Sequence, residues 1–220
     1  PRLHELHADG RPRLLMVLVA HSLVDEAGVS GLQARGELFT AQHQGGRVPG
    51  EAAAGLLLAN APMAARCADS HPWLGAPGAT RRQRSADRAG RPGSEAFMAA
   101  AQQVLAPWLG GHDARSPQAA WWCLSDADHR PGRASELFEA FQSLQPDGDA
   151  MQAVVRLGDA WGDLGMARAL APVALAASVV RQGLQPGDDA ASDAASVPPL
   201  APAPALVGLL QCSPRRWAIP

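Results

Sequence analysis

The sequence contains no lysine and no tyrosine, and isoleucine occurs once, at Ile219. All 19 basic side chains are therefore arginines. Because a guanidinium stays protonated at any ordinary pH, the chain has no side-chain amine for Schiff-base or general-base chemistry. The heavy use of alanine, arginine, glycine and proline is more typical of genome base composition than of a function.

Cysteine is scarce. The three residues, Cys67, Cys123 and Cys212, are odd in number and their spacing matches no zinc pattern. Free thiols in a reducing compartment are the simplest interpretation, which favours a cytoplasmic protein. None of the three stands in a small-residue turn before a helix, so we interpret them as structural, since free cysteine usually behaves as a small buried hydrophobe.

Long runs of one kind are also absent. The net charge is -2, from 19 basic and 21 acidic side chains, with no block of one sign, so nucleic-acid binding is not indicated. The apolar runs are too short, or too broken by proline, to span a bilayer, and no signal-peptide pattern is present. Because the sequence starts at Pro1 and not at methionine, we expect a fragment or a processed chain.

What the chain does have is 220 residues with 47% hydrophobic content, enough for a sizeable core in a single domain, 1–220. Apolar runs and helical spacing alternate along it. Strands are predicted at 14–20, 119–124, 151–157 and in a hairpin over 205–212 and 216–219; helices are predicted at 94–109, 132–144 and 162–182. Alternation of this kind indicates an α/β fold, a mixed sheet covered by helices.

Individual segments add detail. The continuous run 14–20 predicts a strand buried on both faces. In 94–109, Ser94 is the expected N-cap, and Pro172 should kink or break the last helix near its first turns. Composition alone leaves 51–59, rich in alanine and leucine, open between helix and strand.

Two segments read as connections. Residues 76–93 carry five arginines with proline and glycine, which predicts a flexible exposed loop; the functional alternative is a docking patch for an anion or an acyl carrier protein. Residues 183–204, rich in proline, alanine, serine and aspartate, predict a flexible linker.

Four segments, in order, resemble the β-ketoacyl-[acyl-carrier-protein] synthase branch of the thiolase-like superfamily. They are 15–25 (LMVLVAHSLVD), 45–58 (GGRVPGEAAAGLLL), 121–141 (WWCLSDADHRPGRASELFEAF) and 158–177 (GDAWGDLGMARALAPVALAA). The second is the most specific, although Arg47 stands at the family's aromatic position and Ala52 at its second glycine. Together the segments span most of the chain.

The resemblance implies a fold in which two βαβαβαββ halves build an α-β-α-β-α body. This chain would supply the last strands of the first half and all of the second, so 51–59 would be a strand. Glu51 would match a buried structural acid near the active site.

The resemblance also implies an active site that has lost its catalytic groups. A condensing enzyme uses a cysteine thiolate and two side chains that donate hydrogen bonds to the developing oxyanion. Leu124 and Ser125 stand at the first histidine position, with Asp126 next and His129 a few residues late. Asp163 stands at the second, where an ionised carboxylate accepts hydrogen bonds and cannot donate them.

We therefore assign no catalytic residue, with His129 as the one displaced candidate, and expect Asp163 to cap the following helix. Asp126, Asp128 and His129 are alternatively a metal cluster, but their spacing is not specific. No cofactor and no metal are predicted.

Three hypotheses follow. The first is a non-catalytic synthase-like protein, a scaffold or a subunit that forms a homo- or hetero-oligomer with a ketosynthase-like chain. The second is an active 3-oxoacyl-[acyl-carrier-protein] synthase whose cysteine lies in a missing N-terminal half, with His129 in the site. The third is an unrelated α/β domain.

Overall fold

The computed structural model of the chain describes residues 10–67, 71–75, 77–82, 93–109, 122–182 and 205–208. The elements in these ranges are, in chain order, β1 Leu14–Ser22, α1 Glu26–Ala34, β2 Glu51–Ala59, α2 Ala61–Ala64, α3 Glu95–Leu109, β3 Trp122–Ser125, α4 Pro131–Leu144, α5 Ala150–Ala153, β4 Val154–Arg156, α6 Leu157–Trp161, a 3-10 helix Gly165–Ala169, α7 Ala171–Gln182 and β5 Ala205–Gly208. The fold is mixed α/β, as the sequence predicts. None of the described helices is long and apolar enough to cross a bilayer.

Strands β1 and β2 form an antiparallel pair, called the ribbon here, paired from Leu14 with Ala59 to Ser22 with Glu51. Side chains alternate between a partly buried face and an exposed face. The prediction that 14–20 is buried on both faces is therefore wrong: Met16 and Leu18 are 65% and 69% exposed. The reason is that, within the described ranges, no element packs on their side of the ribbon.

The second sheet has the order β4-β3-β5, and all three strands are parallel. β3 and β5 confirm two predicted strands, although residues 119–121 lie outside the described part. The second strand of the predicted terminal hairpin and the linker 183–204 also lie outside it. Parallel neighbours bring the carboxyl ends of β3 and β4 to one edge of the sheet.

Helices α3 and α4 cover one side of this sheet. Phe97 on α3 and Leu137 and Phe141 on α4 pack with Cys123 of β3 in one buried cluster. These residues lie on the predicted apolar stripes, and both predicted helices are confirmed within a residue or two.

Helix α7 contacts both sheets: β2 of the ribbon, and β3 and β5 of the second sheet. Beside it, Leu157, Leu164 and Ala171 are buried against Val19 and Ala54 from the inner face of the ribbon. The contacts therefore run from α3 and α4, through the second sheet and α7, to the ribbon.

Two predicted elements are corrected. The strand predicted at 151–157 begins as a helical turn, α5, because the side chain of Asp149 accepts a hydrogen bond from the backbone N–H of Met151 at 2.9 Å. The helix predicted at 162–182 is a 3-10 helix followed by α7. Pro172 lies in the first turn of α7, where its missing N–H has no partner to lose.

The predicted loop 76–93 is described at 77–82 and at Gly93, and no helix or strand forms there. It is not uniformly exposed. The side chain of Arg82 is 18% exposed and forms an ion pair with Glu136, which α4 holds at 0% exposure. This contact fastens the segment to the α3–α4 layer.

Candidate functional site

The carboxyl edge of the second sheet is where a parallel α/β sheet usually places its functional groups. β3 ends at Ser125 and β4 at Arg156, and the loop after β3 touches the start of α6: Gly158 donates its backbone N–H to the carbonyl of Ala127 at 3.1 Å. A Cβ at Gly158 would lie 2.7 Å from that carbonyl oxygen, so the close approach requires glycine. The loop 37–50 lies against the same edge of the sheet, where it contacts His129.

Ser125, which the resemblance would put at the first histidine position, is fully buried, and its Oγ accepts the backbone N–H of Ala127 at 3.1 Å. The hydroxyl is therefore used to close a turn. Leu124, its neighbour, is also fully buried. Neither side chain faces a space where a substrate could bind.

Asp128 is held by two arginines. Its carboxylate accepts hydrogen bonds from Arg130 Nε at 2.9 Å and lies 3.5 Å from Arg133 Nη1. Burial alone would raise the pKa of Asp128, but the hydrogen bond and charge of Arg130 and the charge of Arg133 outweigh it and hold the pKa below its ordinary value. A carboxylate so fixed is a structural anion and not a general base near neutral pH.

His129 points to the loop 37–50. Its Nε2 lies 3.2 Å from the carbonyl oxygen of Gln44, and its ring meets that of Phe39 edge-to-face at 5.0 Å. These contacts anchor the loop on the segment after β3. Among the described residues no group of three histidine, cysteine or carboxylate side chains is arranged to hold a metal, so Asp126, Asp128 and His129 do not converge as ligands.

Asp163, at the second histidine position, is only 7% exposed, and both carboxylate oxygens are occupied. Oδ2 lies 2.7 Å from Arg47 Nε, and Oδ1 accepts the backbone N–H of Gly165 at 2.9 Å. The second contact closes a turn before the 3-10 helix, but the predicted capping role is not met, because the N-cap of that helix is Leu164, which makes no side-chain cap hydrogen bond. The ion pair with Arg47 was not predicted, although Arg47 stands where the resemblance expects an aromatic residue.

The backbone reinforces this contact. Asp163 donates its N–H to the carbonyl of Val48 at 2.8 Å, and a bridge pairs Pro49 with Asp163. A Cβ at Gly50 would overlap the carbonyl oxygen of Trp161, so the two loops meet at backbone contact distance. The ribbon and the second sheet are thus joined at Asp163.

His21, which sequence reasoning did not single out, lies at the same junction. Its partly buried ring packs on Gly165, where a Cβ would overlap the imidazole. Two features of the sequence could have indicated His21: the glycine at position 165 and the place of His21 near the end of β1. Gly165 also has φ +52°, which a side chain would strain.

Glu51 is corrected. The resemblance implies a buried acid, but Glu51 is exposed at the end of β2, where it accepts a hydrogen bond from Ser22 Oγ at 3.1 Å. Glu51 lies on the exposed face of the ribbon, called the outer face here, because it is paired with Ser22 at the last position of the β1–β2 pairing.

Of the two described thiols, Cys123 is buried as expected of a structural cysteine and Cys67 is exposed. Burial raises the pKa of Cys123 to about 12, so this thiol stays protonated inside the α3–α4 layer. Cys67 is exposed after α2, with its Sγ 3.6 Å from the carbonyl oxygen of Met63. Cys212 lies outside the described residues.

Comparisons with known proteins add nothing to this geometry: no family model matches the chain, and neither the curated proteins nor the solved structures contain a significant match.

Proposed function

We propose that the chain is a non-catalytic β-ketoacyl-synthase-like subunit, which acts by assembling with another ketosynthase-like chain. The proposal rests on the four family-like segments of the sequence and on one structural observation. That observation concerns the hydrogen bonding of the Asp163 carboxylate, which stands where the resemblance expects a hydrogen-bond donor.

Stabilising an oxyanion requires N–H or O–H groups aimed at the developing charge. Asp163 offers only acceptor oxygens, and both are already engaged, by Arg47 and by the N–H of Gly165. Its negative charge would also repel an oxyanion in the same place. At the other position, the Oγ of Ser125 accepts a hydrogen bond from a backbone N–H.

Neither of the two described cysteines is placed like the nucleophile of a condensing enzyme. Cys123 has its pKa raised to about 12 by burial, so its thiolate is not populated near neutral pH. Cys67 is exposed and far from a helix start, since it follows the end of α2. These residues support a structural role.

The need for a partner comes from the ribbon. Its outer face exposes Met16, Leu18 and Leu57 side by side, each by 65% or more. Contiguous exposed apolar surface of this kind usually marks a protein interface. An assembling subunit would bury it.

The test is a condensation assay with an acyl thioester and a malonyl thioester, read as carbon dioxide release and as the new β-ketoacyl product. We expect neither above the rate without protein, while an active ketosynthase in the same assay gives both. Condensation that is lost in His129→Ala would overturn the proposal and favour an active synthase. Condensation that survives His129→Ala would overturn it too, and would exclude His129 as the catalytic group.

A further inference from the structure

The segment 77–82, called the strap here, lies against α3 and contains neither helix nor strand. Near its start, Gly78 is half-buried, and a Cβ on it would overlap the carbonyl oxygen of Ala100 and lie 2.9 Å from Val104 Cγ2. Glycine at this position therefore lets the backbone of the strap rest directly on the helix.

Two hydrogen bonds continue this contact along α3. The backbone N–H of Ala79 donates to Gln103 Oε1 at 3.3 Å, and Thr80 Oγ1 donates to the carbonyl oxygen of Ala96. Ala79, Thr80 and Gln103 are exposed, so water competes with both bonds and each adds little to the attachment. These bonds alone would hold the strap only weakly.

The other end of the strap is attached to α4 by an ion pair. Arg82 contacts the carboxylate of Glu136, whose side chain is 0% exposed, whereas the side chain of Arg82 is 18% exposed. Arg82 therefore lies between this carboxylate and the solvent, and lifting it away opens a path for water. Within the described ranges, the charged groups that act on Glu136 are Arg82 on the strap, Glu95 at the start of α3 and Arg133 on α4 itself.

Burial and the two arginines act on Glu136 in opposite directions. Burial, with a smaller contribution from Glu95, disfavours the ionised carboxylate, while Arg82 and Arg133 favour it. Burial is the larger effect, so the pKa of Glu136 is raised from 4.5 to about 7 while the strap is in place. When the strap lifts, the carboxylate reaches water and its pKa falls back towards 4.5. Proton binding therefore favours the attached strap, and ionisation favours the detached one.

This geometry points to a conformational switch: we propose that the strap is released from α3 and α4 when Glu136 ionises and is reattached when Glu136 takes up a proton. A neutral carboxyl still accepts a hydrogen bond from Arg82 through its carbonyl oxygen, so the contact survives protonation. The attachment is complete below pH 4.5 and weakens as the pH rises to about 7. Release uncovers the part of α3 around Ala100 and Val104. This inference does not depend on the proposed function.

Hydrogen exchange at the Ala79 amide measures the release, because this N–H is protected while the strap is attached. Exchange of the full chain is followed by mass spectrometry with residue-level fragmentation from pH 4.5 to 8. Each rate is divided by that of a free peptide of residues 77–82 at the same pH, which removes the intrinsic pH dependence of exchange. We expect the protection to fall by roughly tenfold to a hundredfold between pH 4.5 and 7 and to level off above that range.

Three variants separate the causes. Glu136→Gln keeps the shape of the side chain but cannot ionise, so its protection should stay high and constant over this range. Glu139→Gln, on the same helix, is the matched control and should reproduce the parent's fall. Gly78→Ala should lose the protection at every pH, because its Cβ would overlap the carbonyl oxygen of Ala100. The amides of α4 must stay protected in each variant, which excludes global unfolding.

Protection of the parent that is constant from pH 4.5 to 7 would overturn the proposal. Protection that rises with pH would overturn it as well, because the ion pair with Arg82 would then hold the strap more strongly than burial loosens it. A fall of equal size in Glu136→Gln would assign the pH dependence to a different group. The parent's profile decides between the first two outcomes even if a variant fails to fold, and none of them bears on the condensation assay.

Discussion

Arg47 Nε lies 2.7 Å from Asp163 Oδ2, and this ion pair joins the loop before β2 to the loop after α6. Each residue departs from the pattern that the resemblance implies for its segment, which has an aromatic residue at the first position and a histidine at the second. The departures complement each other, since a nearly buried carboxylate needs a partner. The pair explains how an acid is accommodated at this junction.

The first prediction is a double-mutant cycle on this pair. Asp163→Asn keeps an oxygen for the N–H of Gly165 but removes the charge, and we expect it to lower the free energy of unfolding by about 1–3 kcal/mol. Arg47→Met should cost at least as much, because it leaves the Asp163 carboxylate without its partner at 7% exposure, whereas Asp163→Asn leaves Arg47 paired with Glu37. The coupling energy from urea unfolding should be about 1 kcal/mol or more. A coupling near zero would contradict the structural role.

A matched control is the more exposed pair of Arg156 and Asp159, three residues apart in sequence. The same substitutions there, Arg156→Met and Asp159→Asn, should give a coupling of roughly 0.2–0.5 kcal/mol, as for other partly exposed ion pairs. Equal couplings at the two pairs would mean that burial of Asp163 contributes nothing.

The second prediction concerns the backbone contact at the same junction. A Cβ at Gly50 would overlap the carbonyl oxygen of Trp161 and lie 2.9 Å from the carbonyl carbon of Gly162. These are backbone atoms that cannot rotate away, so Gly50→Ala should lower the free energy of unfolding by about 2–4 kcal/mol. Gly45→Ala, with nothing within 4 Å of its Cβ, should change it little. Chemical denaturation measures both.

Local signals in the sequence were sufficient for α3 and α4 and for the positions of β1, β3 and β5. The apolar stripe of Phe97 and Leu105 has helical spacing, and both side chains are buried in α3. The bounds of β2 agree with the predicted 51–59, but the family resemblance supplied that choice, because alanine and leucine also suit a helix.

Long-range relationships were not predictable in the same way. Arg47 with Asp163, and Arg82 with Glu136, join residues far apart in the chain, and no periodicity encodes such pairs. The bare outer face of the ribbon was missed for a related reason. A strand such as 14–20 is apolar on both faces. The same sequence is expected whether a helix or another chain covers its second face.

The third prediction tests the assignment of the thiols. Alkylation of the native chain with iodoacetamide at pH 8 should label Cys67 quickly and Cys123 only slowly, because the pKa of the buried thiol is raised to about 12. Peptide mass spectrometry separates the two sites. Urea should abolish the difference. Fast labelling of Cys123 in the native chain would show a reactive thiolate and reopen a catalytic role.

The fourth prediction is a pH dependence of stability set by Glu136. This fully buried carboxyl faces Arg82, Glu95 and Arg133, and burial raises its pKa from 4.5 to about 7 despite the two arginines. The folded chain therefore binds a proton more tightly than the unfolded chain. Stability contributed by protonated Glu136 is complete below pH 4.5 and is lost as the pH rises to about 7, by roughly 3 kcal/mol in all.

Glu136→Gln removes this titration, so the difference in unfolding free energy between parent and variant should change between pH 4.5 and 7 and stay level above that range. Arg82→Gln should make the loss larger and extend it above pH 7, because it removes the charge that favours ionised Glu136. Ser135→Ala, an exposed neighbour on α4, is the control and should leave the profile unchanged. A constant difference between parent and Glu136→Gln at every pH would mean that Glu136 ionises normally in the fold. The ion pair with Arg82 would then offset burial, and the attachment of the segment 77–82 would not depend on the protonation of Glu136.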